Sequence, residues 1–440
     1  MNNIKYILLS AFLCVSILSG CKKDDTDAGN EGEFYPRIFD KNGAFRLASS
    51  IIAEGQSAVF TGLQFSPSDR ASVVWKVNDK VVSSDTAFTF TPTAGGEYKI
   101  SVEASFDGKT TSRTSSILVN PNTYTFKPYT NVALAYLSAE GLAKDVDWEK
   151  VTHVAFKCGW VNSDGLDVTV GQTNRAADEL VARGHINKTP VIMGISGFLS
   201  GIDGWSRYES NDFGAVIIDP AKRASLVQQV VAYVTARKMD GVDIMMTDLS
   251  INGDKNIAAV GPLIRELKAA LPAKSIVTAT VATNWLRGQY GNLAAADWVN
   301  VHAFEDGAVS PGSPRAQSSS YDYMVSCAAN WTSLLPKDKI VLGMPAFGLR
   351  YIEIDANGNN FGWSSYNYVK YFDILKHDPQ AFSKETTNMA FGVFYNGIPL
   401  IEKKAKYIKS AGFKGAYLWA ADYDVLGANS LMGTIAKDLK

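Results

Sequence analysis

From residue 131 onward this chain repeats one unit: a short apolar run, then an amphipathic stretch, then another apolar run. The runs fall at 131–138, 151–158, 190–197, 241–248, 276–282, 298–305, 339–347 and 415–421. Runs of this length, rich in Val, Ile and Ala and bounded by Gly, Pro, Asn or Asp, read as buried strands. Helical patterns lie between most of them. The clearest precedes the fourth run, where Asp219 is placed to cap, Pro220 opens the first turn, and Leu226, Val227, Val230, Val231 and Val234 recur at helical spacing. Such alternation calls for a parallel sheet covered by helices. The rhythm alone fits either a closed (β/α)8 barrel or an open covered sheet.

The fourth run carries the chemistry. It reads Asp240-Gly241-Val242-Asp243-Ile244-Met245-Met246-Thr247-Asp248. Side chains alternate along a strand, so Asp243, Met245 and Thr247 share one side. Asp248 falls on the other side unless the strand end bulges.

This stretch resembles the signature strand of glycoside hydrolase family 18, the chitinases and endo-β-N-acetylglucosaminidases, which runs Asp-Gly-x-Asp-x-Asp-x-Glu. Asp240, Gly241 and Asp243 match, whereas Met245 stands where that family has its orienting aspartate and Thr247 where it has the acid glutamate. Further segments follow in the family's order. His302, Phe304 and Glu305 occupy the places of Met-x-Tyr-Asp, and residues 339–348 resemble the seventh strand. Residues 415–420 resemble the eighth, whose tryptophan, here Trp419, floors the central sugar subsite. Ser196 and Gly197 stand in a weakened Ser-x-Gly-Gly turn. The likeness spans roughly residues 130–440 and implies a closed (β/α)8 TIM barrel with its ligand site at the carboxyl ends of the strands.

The family's reaction is a substrate-assisted exception to the two-carboxylate scheme. The substrate's acetamide oxygen attacks, a glutamic acid protonates the leaving oxygen, and an aspartate steadies the acetamide. Threonine supplies no acid near neutral pH, and methionine supplies no charge. Loss of a positioned acid alone costs roughly 10²–10⁴ in rate. The expectation is therefore a barrel with no catalytic residues, degenerate at Asp243, Met245 and Thr247, that binds an N-acetylglucosamine-containing glycan without cutting it. Two alternatives stand beside it: an endo-acting glycosidase whose acid has moved to Asp248 or Glu305, and an interaction scaffold without sugar binding. Sugars stack their C–H faces on rings and need polar side chains for their hydroxyls. The glycan-binding candidates are Trp419, Trp160, Trp285, Phe304 and Tyr136 as rings, with Glu305 and Asp248 as polar contacts. By the same resemblance, Asp240 and Asp243 are supports in the barrel core.

The amino terminus reads as an export signal. Lys5 precedes an apolar run from Tyr6 to Leu18, and Leu18-Ser19-Gly20 lead into Cys21. This resembles a bacterial lipoprotein signal over residues 1–20, with Cys21 lipidated. The following Lys22-Lys23-Asp24-Asp25 resembles the surface-export tag of Bacteroidetes lipoproteins. The expected location is thus the outer membrane, held by the lipid and facing the cell surface, beside a glycan-uptake complex. Residues 21–33 form a polar linker. Residues 34–121 show strand character and turn signals at Asn78-Asp79 and Asp107-Gly108. With Trp75 and Gly96-Glu97-Tyr98, this region resembles a small all-β sandwich of immunoglobulin or PKD type. The barrel is expected over 128–440. A net charge of −1 gives no electrostatic reason to expect nucleic acid. No Cys/His spacing suggests zinc, no cofactor is expected, and Cys158 and Cys327 read as buried free thiols.

Overall fold

The computed structural model of the protein describes residues 34–168, 173–197, 211–247, 254–282, 288–304 and 307–439. The chain divides into two compact units. The smaller comprises the chain up to Arg46 with Phe60–Phe88 and Ser101–Thr114; the larger comprises Leu47–Val59, Thr89–Ile100 and everything from Ser115.

The smaller unit is built on strands. Arg37–Asp40 pairs antiparallel with Leu63–Ser66. Ser72–Val77 and Lys80–Ser83 form a hairpin whose turn residues, Asn78 and Asp79, have φ of 50° and 65°. Asn and Asp tolerate this left-handed region better than other residues with a side chain. Trp75 is fully buried at the centre, with ring centroids of Phe45, Phe60 and Phe88 at 6.0, 5.5 and 5.3 Å. Its indole N–H, which is costly to bury unpaired, donates to the carbonyl of Asp85 at 2.9 Å.

The larger unit contains a parallel barrel of eight strands: Val132–Leu137 (β1), His153–Asn162 (β2), Val191–Ser196 (β3), Gly241–Met246 (β4), Ile276–Val281 (β5), Val299–Val301 (β6), Ile340–Pro345 (β7) and Gly415–Trp419 (β8). Each pairs in parallel with its neighbours, and β1 pairs with both β8 and β2, so the sheet closes. All residues of β1, β3, β4, β5 and β7 are buried, as required when side chains fill the bore on one side and meet helices on the other. Each strand lies within its expected run except β2, which extends past its run to Asn162 and turns back as a short antiparallel strand, Gly165–Asp167. The helix Pro220–Arg237 forms as its sequence requires. Asp219 accepts from the amides of Ala221 and Lys222, and Leu226, Val227, Val230 and Val234 are buried. It ends at Lys238 in the left-handed conformation, φ 57°.

Between β7 and β8 the chain builds a four-stranded antiparallel sheet. Its strands run in the order Tyr366–Lys370, Phe347–Tyr351, Val393–Tyr395, Thr386–Thr387. The sequence reading left this stretch unassigned beyond residue 347. Cys158 and Cys327 are buried and not joined in a disulfide.

One glycine sets the bore. A Cβ on Gly194 would lie 2.4 Å from the Tyr136 hydroxyl oxygen and 3.1 Å from the Lys157 Cα. No side chain fits there without displacing either the tyrosine or the backbone of β2.

Candidate functional site

The Asp243 side chain lies in the barrel interior and is fully buried. Its Oδ2 accepts from the Tyr136 hydroxyl at 2.9 Å and from the Thr280 hydroxyl at 2.8 Å. Its Oδ1 accepts from the Thr278 hydroxyl at 2.5 Å and from the Asn300 Nδ2 at 3.0 Å. Asn300 is itself oriented by the Trp298 indole N–H, which donates to its Oδ1 at 3.0 Å. Strands β1, β4, β5 and β6 are thus stitched through one carboxyl group. Burial raises the Asp243 pKa above the usual aspartate value, and the four hydrogen bonds pull the other way. A carboxyl so fully partnered holds the barrel together and leaves no lone pair for substrate.

Met245 and Thr247 follow Asp243 at alternate positions toward the carboxyl end of β4, and both are buried. The Tyr290 hydroxyl donates to the carbonyl of Met246 at 2.5 Å and its oxygen accepts from the amide of Ala282 at 2.7 Å. Tyr290, which the sequence did not single out, therefore ties the ends of β4 and β5 together.

A group of rings lies nearby. The centroids of Tyr136 and Trp419 are 5.0 Å apart, those of Phe304 and Tyr417 6.1 Å, and those of Phe304 and Phe347 5.8 Å. Tyr417 and His302 share a hydrogen bond at 3.1 Å. Burial and the Asp243 charge raise the Tyr136 and Tyr417 pKa values well above that of free tyrosine, so both stay protonated. Tyr136, Phe304 and Trp419 are all fully buried. Trp160, at the end of β2, is half-buried and pairs with Asp167. The expected contacts Trp285, Asp248 and Glu305 lie outside the described residues, as does Cys21.

Asp240 sits elsewhere than the resemblance suggested. It precedes the first residue of β4, at the entry end of the barrel and away from the strand ends that bind ligands. There its carboxylate accepts from the Tyr124 hydroxyl, from the amide of Val191 at 2.8 Å and from His185 Nε2 at 3.2 Å. It is a support, but for the segment leading into the barrel.

Two polar features escaped the sequence reading. Ser138, just after β1, donates its amide and hydroxyl to Asp422 at 2.9 and 2.6 Å, closing the carboxyl ends of β1 and β8. Lys157 lies within β2, is 1% exposed, and has its ammonium 5.4 Å from the Trp419 ring centre. A charged residue inside the otherwise apolar run Val154 to Cys158 was the available signal. Among the described residues no group of His, Cys, Asp and Glu could hold a metal ion.

Comparison with known proteins places this geometry. The sequence profile described as Glycosyl hydrolases family 18 matches residues 125–424. A Caenorhabditis elegans protein described as "Probable endochitinase" is 24% identical over 347 residues, covering 66% of this chain and 55% of its own length. This chain therefore spans about half of that relative. A crystal structure of a chitinase from Bacteroides thetaiotaomicron is similar with a TM-score of 0.56 at 24% identity, covering 70% of this chain and 96% of that one. A class V chitinase mutant from Nicotiana tobaccum in complex with NAG4 is similar with a TM-score of 0.55 at 17% identity, covering 70% and 99%. These findings correct the expectation of a non-enzyme. The matched profile is one of hydrolases and the matched relatives are named as chitinases, so the weight falls on an enzyme. Thr247 fills only one strand position, and the alternative of an acid displaced to Asp248 or Glu305 accords better with these matches. A barrel site is assembled from several strand ends, and any of them can present one.

Proposed function

The chain belongs to glycosyl hydrolase family 18, and on that premise we propose that it cleaves a glycan built on N-acetylglucosamine, of chitin or N-glycan type, with its acid displaced to Asp248 or Glu305. The observation that carries the reading is the family match over residues 125–424, with the Asp243 cluster as the barrel's structural centre. Five residues on four strands, Tyr136, Asp243, Thr278, Thr280 and Asn300, keep a carboxyl group buried at the heart of the barrel. The rings of Tyr136, Tyr417 and Trp419, all fully buried, pack together beside that cluster. The relative in complex with NAG4 supports the substrate class. Thr247, whose hydroxyl does not ionise near neutral pH, leaves proton donation to another carboxyl group, Asp248 next to it in sequence or Glu305 after β6.

Incubation with chitooligosaccharides and with N-glycans, followed by mass spectrometry, is expected to release N-acetylglucosamine-containing fragments steadily. Asp248→Asn or Glu305→Gln is expected to slow release by about 10²–10⁴. A wild-type chain that yields no fragments, or one indifferent to both substitutions, sinks the assignment.

The same reading extends to the amino terminus. There the chain is held at the outer membrane through lipidated Cys21, beside a glycan-uptake complex, with an immunoglobulin-like segment before the barrel. The sequence of residues 1–25 supports the anchor. The Tyr98 hydroxyl, which donates to the carbonyl of Ala94 at 3.0 Å, supports the immunoglobulin-like segment, because a corner tyrosine of that fold bonds back to upstream backbone.

A further inference from the structure

The strand Tyr366–Lys370 forms one edge of the inserted four-stranded sheet, and the loop leading into it holds two large rings in water. Phe361 is 56% exposed and Trp363 is 64% exposed. Burying a large apolar side chain is worth about 1.5–3 kcal/mol, a gain this loop forgoes twice. The backbone on either side is pinned. Asn360 is fully buried, and its Nδ2 donates to the carbonyls of Val309 and Ser310 at 3.0 and 3.2 Å. Its carbonyl accepts from the amide of Gly312 at 2.7 Å. Beyond the rings, a turn closes from the Ser365 amide to the Gly362 carbonyl at 3.0 Å, with Trp363 inside it. The Ser365 carbonyl in turn accepts from the Ile352 amide at 2.9 Å. The rings are thus presented from fixed positions, and a ligand that stacks on them need not order the backbone first.

Residues 357–368 carry no charged side chain. Exposed Asn357, Ser364 and Asn367 are interleaved with Phe361, Trp363 and the half-buried Tyr366 and Tyr368. A neutral sugar needs this mixture, rings for its C–H faces and amides or hydroxyls for its own hydroxyls. The cation that reaches the loop, Arg315, is engaged with the carbonyls of Gly358 and Phe391. Packed rings connect the segment to the ligand end of the barrel. Centroids of Tyr366 and Tyr368 are 5.7 Å apart, those of Tyr368 and Phe347 5.3 Å, and those of Phe347 and Phe304, just after β6, 5.8 Å. We propose that the loop bearing Phe361 and Trp363 is a second carbohydrate-binding surface, outside the barrel, that takes a neutral polysaccharide built on N-acetylglucosamine. The inference rests on the glycosidase reading for the kind of sugar. It adds that the substrate is a long chain, gripped on the insertion while another stretch of it enters the barrel.

The test makes two measurements on the full chain: adsorption to particulate chitin, read as a depletion isotherm, and cleavage of soluble chitotetraose. Trp363→Ala is expected to weaken adsorption by roughly three- to tenfold, the range of a lost aromatic contact. Phe361→Ala combined with it should weaken adsorption further, and Trp363→Tyr, which keeps a ring, should retain most of it. The loop lies outside the barrel, so chitotetraose cleavage should stay within about twofold of wild type in each variant. Adsorption of the double variant equal to wild type overturns the proposal. An equal fall in chitotetraose cleavage by a folded variant also overturns it, because the rings would then belong to the cleft. A dimer in sedimentation that Trp363→Ala abolishes, with adsorption unchanged, assigns the rings to a second copy and overturns it too. Adsorption through these rings without cleavage of chitotetraose leaves this inference standing and removes the glycosidase assignment; cleavage without adsorption does the reverse.

Discussion

Tyr136 of β1 donates its hydroxyl proton to Asp243 of β4 across the bore at 2.9 Å, joining two strands that are not neighbours in the sheet. The bond is buried at both ends. Removing one donor from a buried carboxyl leaves part of its desolvation unmatched, at about 1–3 kcal/mol. Tyr136→Phe, which keeps the ring, is therefore expected to lower unfolding free energy by about that amount in urea titration. A loss below about 0.5 kcal/mol would show that the remaining three donors suffice.

The sugar contact expected at Trp419 from the family resemblance gives a second prediction. Trp419→Ala would open a large cavity and cost about 3–5 kcal/mol of stability, which confuses the readout. Trp419→Phe keeps an aromatic floor of smaller area. It is expected to weaken binding of N-acetylglucosamine oligomers by roughly two- to tenfold, the range of an aromatic contact. Unchanged affinity in calorimetry would place the sugar elsewhere.

Two buried groups set opposing pH dependences. Burial, followed by the charge of Lys414, lowers the His153 pKa to about 3 from 6.5. The unfolded chain binds this proton more tightly, so His153 costs stability as pH falls below 6.5, by about 1.4 kcal/mol per unit. Burial raises the Asp424 pKa to about 6 from 3.8, against hydrogen bonds from the amides of Met432 and Leu431. Here the folded chain binds the proton more tightly, so stability rises as pH falls from about 6 toward 3.8. The two slopes oppose each other between about pH 4 and 6. His153→Phe is expected to leave the Asp424 slope uncovered, so that the variant gains stability relative to wild type on acidification across that window. Parallel curves for the two proteins would refute the His153 contribution.

Cys21→Ala is expected to abolish incorporation of labelled fatty acid and to move the protein from the membrane fraction to the soluble one. A lipid chain is the main source of membrane affinity in this reading. Unaltered membrane retention would remove the anchor from the proposal.

The eight barrel strands were legible because a strand buried on both faces reads as an unbroken apolar run. Closure was legible only through the family resemblance, because an open sheet gives the same runs. The insertion from Phe347 to Tyr395 was illegible for a different reason: its strands are two to five residues long, and two of them, Tyr366–Lys370 and Thr386–Thr387, are only partly buried, so they leave no periodic signal. Asp240 and Asp243 look alike as letters three apart. The start of β4 at Gly241 separates them, sending one to the entry end and one to the interior. Lys157 was passed over because a strand pattern gives the parity of a side chain and not what stands across the barrel from it. The displaced acid could be named from sequence only as a pair of candidates, since Asp248 and Glu305 follow strands whose ends the pattern does not aim.

Gly194 has a bearing on how this scaffold can change over generations. A single methyl added there would have to be absorbed by the Tyr136 hydroxyl, 2.4 Å away, and by the main chain of β2 at Lys157. Drift at that codon is closed off, and innovation inside the bore closes with it. New specificities on this barrel must arise where strands give way to connecting segments, at positions free to vary without disturbing the Asp243 stitch.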